Sequence, residues 1–225
     1  MLGICQFVAR IGYEGYGRRG QIHRNLKSAE DSPDRIVTNI VKELGNHQFN
    51  CYTSLATVPE HLVASPLGLT HKGEGSKRRI HHLSYSADDR DSGSINGTIP
   101  EHYTTCSYST IDDAIKAIQC FGKGCLLVKR DFVSPFRHIP VSPIDGALLG
   151  FHWENKYYSE RDLPFRLQTT PLLFNLFAKG FHWILGNELE MENLQTEIIH
   201  YLDDLLIILP SKQNLKAYSQ KFFPL

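Results

Sequence analysis

Residues Thr196 to Leu209 read TEIIHYLDDLLIIL, two strongly apolar, β-prone runs joined at Leu202-Asp203-Asp204. Their composition predicts a strand over 196–201, a bend at 202–204 and a second strand over 205–209. Two carboxylates then emerge side by side from a hairpin whose flanks belong in a buried sheet. Aspartate is common in turns, so on its own the pair marks a turn. The favoured tight-turn partner, a glycine after the aspartate, is missing here. Adjacent like charges repel in such a place and call for a cation nearby. A divalent metal supplies one.

Upstream, Cys125-Leu126-Leu127-Val128 reads as a buried strand running into Lys129-Arg130-Asp131. Asp131 has two readings. It is the N-cap of a following helix, a position aspartate favours, or it is a third carboxylate that the sheet sets beside the hairpin. In the second reading Asp131 and Asp203 share a metal pair. Hard cations such as magnesium take carboxylate oxygens. Two of them close together can activate an attacking hydroxyl and stabilise a leaving phosphate oxygen, which is the chemistry of phosphoryl transfer.

The remaining chain supplies helices and further strands. IVTNIVKEL (Ile36–Leu44) has helical spacing, with Asp34 available as a cap and Gly45 as a stop. STIDDAIKAIQCFGKG carries a capping box, Thr110 with Asp113 three residues on, and Gly122 ends that helix. Thr170-Pro171 begins another helix, a capping hydroxyl followed by proline in the first turn, which runs to Gly186. Strands are predicted over Ala147–Trp153 and Lys156–Ser159, with Glu154-Asn155 as the turn between them. Residues 64–75 read as loop with a short strand, Arg79–Ser84 as a strand, and Ser86–Pro100 as the clearest loop and a candidate boundary. The first thirty or so residues read as irregular. The order of elements points to an α+β fold, an antiparallel sheet with helices on one face.

The chain has 225 residues, 41% of them apolar and 21% charged, with 24 basic and 24 acidic side chains. This suits a soluble globular protein with one large domain or two small ones. A neutral balance counts mildly against a nucleic-acid partner, since phosphate contacts favour a basic excess. Local basic runs at Arg18-Arg19, Lys77-Arg78-Arg79 and Lys129-Arg130 soften that objection, the first being read as solvated surface. Five cysteines in irregular spacing, with no CxxC pair, argue against a zinc site and more strongly against a disulfide framework. Most of the thiols are expected to be small buried hydrophobes, in a reducing, intracellular compartment, cytoplasm or nucleus. No membrane span and no secretory signal is read.

Four segments together resemble one family, the reverse transcriptases of retrotransposons. YLDD at Tyr201–Asp204 resembles the signature of an aromatic, a variable residue and two aspartates. LVKRDFVSPFRHIPV resembles the motif that carries the first metal-binding aspartate. LPFRLQTTPLLFN (Leu163–Asn175) resembles the family's LPFGLxxAPxxF segment, and SPLGLTHKGEGSKRRIHHLS resembles its fingers region. The segments keep the family's order and cover about Ala64 to Leu209.

The resemblance implies a right-hand polymerase fold, with residues 1–63 an N-terminal part of the fingers, 64–108 fingers-like, 109–225 the palm, and the thumb absent. It implies RNA-directed DNA polymerase activity, a nucleotidyltransferase reaction with two Mg2+ or Mn2+ ions, deoxynucleoside triphosphates and an RNA or DNA primer-template. Asp131 and Asp203 would bind the metals, Asp204 would support them, and Phe132 would offer its backbone carbonyl. Arg78, with Lys72, would contact the triphosphate. Phe136 would lie under the sugar, Phe165 would line the nucleotide pocket, and Tyr201 would lie near the primer end. The alternative is a non-catalytic nucleic-acid-binding or remnant protein on the same fold.

This sequence departs from the family pattern at several positions. Arg166 stands where LPFG has glycine, whose freedom relieves the dihedrals and lets the backbone approach the nucleotide. Thr170 replaces a small alanine. Val133 and Pro135 stand where a polar or acidic residue and alanine are usual. These departures and the early end at Leu225 suggest a truncated, partly decayed copy.

Overall fold

The structure is a computed structural model that describes residues 8–15, 20–73, 76–86, 93–191, 193, 195–210, 215, 218 and 219, without the side chains of Lys72 and Ser76. The Arg18-Arg19 run, Cys5 and part of the 86–100 loop lie outside the described residues. In chain order the strands and α-helices are β1 (Gln21–Ile22), α1 (Lys27–Glu30), α2 (Pro33–Gly45), β2 (Phe49–Tyr52), β3 (Val63–Ala64), β4 (Leu67–Lys72), β5 (Ser76–His81), α3 (Ile111–Phe121), β6 (Leu126–Asp131), α4 (Pro143–Leu148), β7 (Gly150–Trp153), β8 (Lys156–Glu160), α5 (Thr170–Met191), β9 (Glu197–Tyr201) and β10 (Asp204–Leu209). The fold is mixed α+β. It divides into two compact units. One holds 106–135 and the described residues from 173 onward; the other holds the described residues up to 105 together with 136–172.

The first unit is built on an antiparallel sheet in the order β6-β10-β9. Side chains alternate across a strand, so Leu205, Ile207 and Leu209 of β10 face one way. They pack with Ile198 of β9, with Leu185 and Leu189 of α5 and with Tyr218. α3 begins as its sequence specifies. The Thr110 hydroxyl accepts from the Asp113 N–H at 3.3 Å, the Asp113 carboxylate accepts from the Thr110 N–H at 2.8 Å, and Gly122 closes the helix at φ 77°.

The second unit holds a five-stranded sheet, β1-β3-β7-β8-β2, and a separate β4-β5 hairpin. The larger sheet is mixed: β1, β3 and β7 pair in parallel, and β7, β8 and β2 antiparallel. Ile36 and Ile40 of α2 meet Phe49, Phe151 and Tyr158 of the sheet and Leu67 and Leu69 of β4 in its core. A buried ionic cluster lies beside that core. The Glu43 carboxylate accepts from Arg79 at 2.8 Å and from Arg137 at 2.9 Å, and Glu160 accepts from Arg137. The Arg79 guanidinium also stands 5.1 Å from the Phe49 ring centre and 5.0 Å from that of Phe151, where an aromatic face attracts a cation.

Several expectations need correction. Within the stretch read mainly as loop over 64–75, Ala64 ends β3 and Leu67–Lys72 form β4, and β5 starts at Ser76, before the expected Arg79. The strand expected over Ala147–Trp153 begins only at Gly150, because Pro143 and Asp145 open a helical turn that runs to Leu148. Ser32, not Asp34, occupies the cap position of α2, and Pro33 fills the first turn. The Thr170 hydroxyl donates back to the Pro164 carbonyl at 3.0 Å, which ties the helix start to the preceding loop. None of the four described cysteines is buried: Cys51 and Cys120 are exposed, and Cys106 and Cys125 are partly so.

Candidate active site

Asp131 ends β6 on the face opposite the core, since Leu126 and Val128 take the core side and Lys129 and Asp131 alternate with them. β10 sets Asp204 directly opposite Asp131, and β9 sets Tyr201 directly opposite Asp204. Directly opposed residues share a face. Asp131, Asp204 and Tyr201 therefore form one row across the end of the sheet. The helix-cap reading of Asp131 falls away, because the next helical turn begins only at Pro135.

Asp203 occupies the two-residue turn between β9 and β10. Its partner Leu202 has φ 52°. A positive φ at the first turn residue alone is the pattern of a type II′ turn, which favours glycine there. A non-glycine residue held in such a sparsely populated conformation costs about 1–3 kcal/mol. The Asp203 carbonyl accepts the Phe132 N–H at 3.1 Å, which holds the turn against the chain leaving Asp131. The Phe132 ring points into an aromatic group with Phe174, Phe177 and Phe181, at 5.6, 6.4 and 5.2 Å between ring centres.

A lysine answers the carboxylates. Lys129 Nζ lies 2.8 Å from Asp204 Oδ1. Its ammonium is held above the ordinary lysine value by the hydrogen bond to Asp204, then by the charges of Asp204, Asp131 and Asp203. Among the described residues no three His, Cys, Asp or Glu side chains form a group that could hold a metal ion. The donors nevertheless suit a hard divalent cation in kind, Asp131 and Asp204 being carboxylates in register at one sheet end. Asp204 would exchange Lys129 for that cation. Sequence reading passed over Lys129 as part of a basic run, although a period of two from Asp131 places it on the aspartate face.

A cleft of about 290 Å³ opens beside this row, lined among others by Thr110, Ile111, Lys129, Tyr201, Asp204 and Leu206. Tyr201 is half exposed, and its ring lies 5.0 Å from that of Tyr108. Burial, then the Cys106 thiol that donates to it, raises the Tyr108 phenol well above its usual range.

The expected nucleotide contacts lie in the other unit. Phe136 and Phe165 meet edge to face at 4.9 Å, and the exposed Arg78 guanidinium stands 5.9 Å from the Phe165 ring centre. Lys72 ends β4, opposite Ser76 in the same hairpin. Arg166, next to Phe165, has φ 71°. The backbone at this position takes the left-handed form that glycine adopts freely. Asn96 clamps it: the side-chain amide donates to the Arg166 carbonyl at 2.9 Å and accepts from the Gln168 N–H at 2.9 Å. Nothing in the loop sequence around Asn96 announced that role.

Comparison with known proteins bears on the fold. No protein-family model matches the sequence, and the sequence matches no curated protein. Solved structures do align. The prototype foamy virus protease-reverse transcriptase, as its CSH mutant, is 18% identical with a TM-score of 0.56, over 92% of this chain and 24% of that one. The foamy viral enzyme in complex with double-stranded DNA aligns over 95% of this chain and 38% of that one, at 17% identity and TM-score 0.56. Its complex with an RNA/DNA hybrid aligns over 94% and 24%, at 15% identity and TM-score 0.58. The chain therefore has a reverse-transcriptase-like fold. It spans well under half the length of these viral proteins.

Proposed function

We propose that the chain is a reverse-transcriptase-like domain for template-directed DNA synthesis, of retrotransposon origin and partly degenerate. The observation that carries this reading is the opposition of Asp131 and Asp204 at the end of the sheet, with Asp203 in the adjoining turn. Two Mg2+ or Mn2+ ions would be held by Asp131 and Asp203, with Asp204 and the Phe132 carbonyl in support. When bound, they would lower the barrier to attack of a primer hydroxyl and stabilise the leaving pyrophosphate. Tyr201, in the same row, would lie near the primer end. Arg78 and Lys72 would hold the triphosphate, Phe165 would line its pocket, and Phe136 would lie against the sugar. The partners are deoxynucleoside triphosphates and a primer-template of RNA or DNA. The foamy virus relatives hold double-stranded DNA and an RNA/DNA hybrid. The aspartate-bearing unit would act as palm and 64–108 as fingers, in the cytoplasm or nucleus. Among the described residues no helix is long and apolar enough to cross a membrane.

A second reading, a nucleic-acid-binding protein without catalysis, draws on the Lys129–Asp204 pair, which neutralises one carboxylate without metal. Incorporation of labelled deoxynucleotides on a primed RNA template, with Mg2+ or Mn2+, separates the two. Incorporation lost in Asp203→Asn supports the polymerase. Incorporation only after Arg166→Gly supports an intact metal site behind a crowded nucleotide loop. Silence from both, with template binding indifferent to Asp203→Asn, supports the second reading.

A further inference from the structure

His200 is the residue before Tyr201 and lies on the core face of β9, opposite Leu205. Only 6% of it is exposed. A single helix grips both ring nitrogens. His200 Nδ1 lies 3.0 Å from His182 Nδ1, and His200 Nε2 lies 3.3 Å from Asn175 Oδ1. Asn175 and His182 are both on α5, two turns apart and hence on one stripe of it. Asn175 is itself buried, and its amide nitrogen donates to the Ser107 carbonyl at 3.2 Å.

This chain of contacts leaves one proton arrangement. The Asn175 amide nitrogen is used by Ser107, so Oδ1 faces His200 and must accept. His200 therefore carries its proton on Nε2, and its Nδ1 is a bare acceptor. His182 must then donate from Nδ1. Its Nε2 is left as a lone pair, and His182 borders an open cleft of about 770 Å³. Among the described residues, Lys179 and Glu190 of α5 and Glu197 of β9 border that cleft with His182, and Arg130 of β6 lies beyond Leu205 in the row of His200. β10 presents only Leu205 opposite His200. Leu202, two residues beyond His200, is held at a positive φ, so the strand entering the turn needs a fixed anchor.

We propose that His200 is a positioning residue for the Tyr201–Asp204 hairpin, fixed in its Nε2–H tautomer between Asn175 and His182. The inference rests on the polymerase reading only for the use made of the hairpin; the anchoring itself stands on the hydrogen bonds. Extra protons on both rings set two N–H groups against each other and release the hairpin.

The test uses the whole chain and needs no catalysis. Imidazole ¹⁵N shifts of the parent protein should show His200 protonated at Nε2 and His182 at Nδ1. Amide exchange of Tyr201–Leu205, corrected for the intrinsic effect of pH, should quicken about tenfold on acidification while the α3 amides hold steady. In His182→Phe the same amides should exchange fast at every pH. Reversed or mixed tautomers in the parent, or hairpin protection indifferent to pH, would overturn the proposal. Should His182→Phe not fold, the tautomer measurement on the parent still decides it. A hairpin that loosens as described, with no nucleotide incorporated by either the parent chain or Arg166→Gly, would sink the polymerase reading and leave the anchor standing.

Discussion

Asp131 and Asp204 face each other directly across β6 and β10, and Lys129, two residues before Asp131, binds Asp204 at 2.8 Å. A pair of like charges is thus met by a cation from the protein itself. A divalent ion bound at Asp204 would have to displace that ammonium.

Removing the competitor should favour the metal. Lys129→Met is expected to bind Mn2+ several-fold more tightly than the parent, by titration of the free-ion spin-resonance signal. Equal or weaker binding in the variant would show that Lys129 does not oppose the metal.

Relieving the backbone at Arg166 should stabilise the fold. Arg166→Gly removes a side chain held at φ 71°, and a gain of about 1 kcal/mol is expected. For a chain of this size that raises the Tm by roughly 2–4 °C. Arg166→Ala, which keeps the strain, should gain little. A glycine variant no more stable than the alanine variant counts against the argument.

The buried cluster around Glu160 should make the second unit acid-sensitive. Burial opposes ionisation of Glu160, but Arg137, His81 and Arg79 outweigh it and hold the carboxyl below its ordinary value. A lowered folded pKa gives stability that is present above the unfolded value of about 4.3 and lost as pH falls through the folded one. Glu160→Gln leaves the Arg137 guanidinium under-compensated and should cost about 3–5 kcal/mol at neutral pH, read from urea unfolding. A loss below 1 kcal/mol, on the same scale, would show that the cluster is not closed.

The histidine pair adds a second, milder pH response. Burial is the chief reason that both His182 and His200 lie below the ordinary imidazole value. As pH falls through about 6.5 the unfolded chain takes up protons that the folded one refuses, so stability drops. Above that pH the pair carries no such penalty. Urea unfolding at about pH 7.5 and about pH 5.5 should show the decline, and His200→Leu should flatten it.

Much of this was readable in the residues, where the determinants are local. Thr110, Asp113 and Gly122 specify α3 by their spacing alone, and the two apolar runs about Leu202 specify the hairpin. Arg166 stood out because glycine's dihedral freedom was expected there, and its φ is indeed positive. What escaped notice depends on distant partners. Arg137 meets Glu43 across 94 residues, and Asn175 meets His200 across 25; no periodicity announces either. The start of α4 was a different kind of miss. Ser142-Pro143 is a helix-opening signal, but the apolar run over Ala147–Trp153 outweighed it in the reading of a strand.

Arg78 and Arg79 stand next to each other on β5, one exposed near Phe165 and the other sealed against Glu43, Phe49 and Phe151. Their fates depend on nothing but parity. A strand slipped by one residue turns every side chain to the opposite face. One codon gained or lost between Leu67 and Arg78, with every reading frame intact and no charge altered, would send Arg78 inward and leave Arg79 to the solvent. This hairpin should therefore tolerate exchange of its surface letters far better than any change in its length.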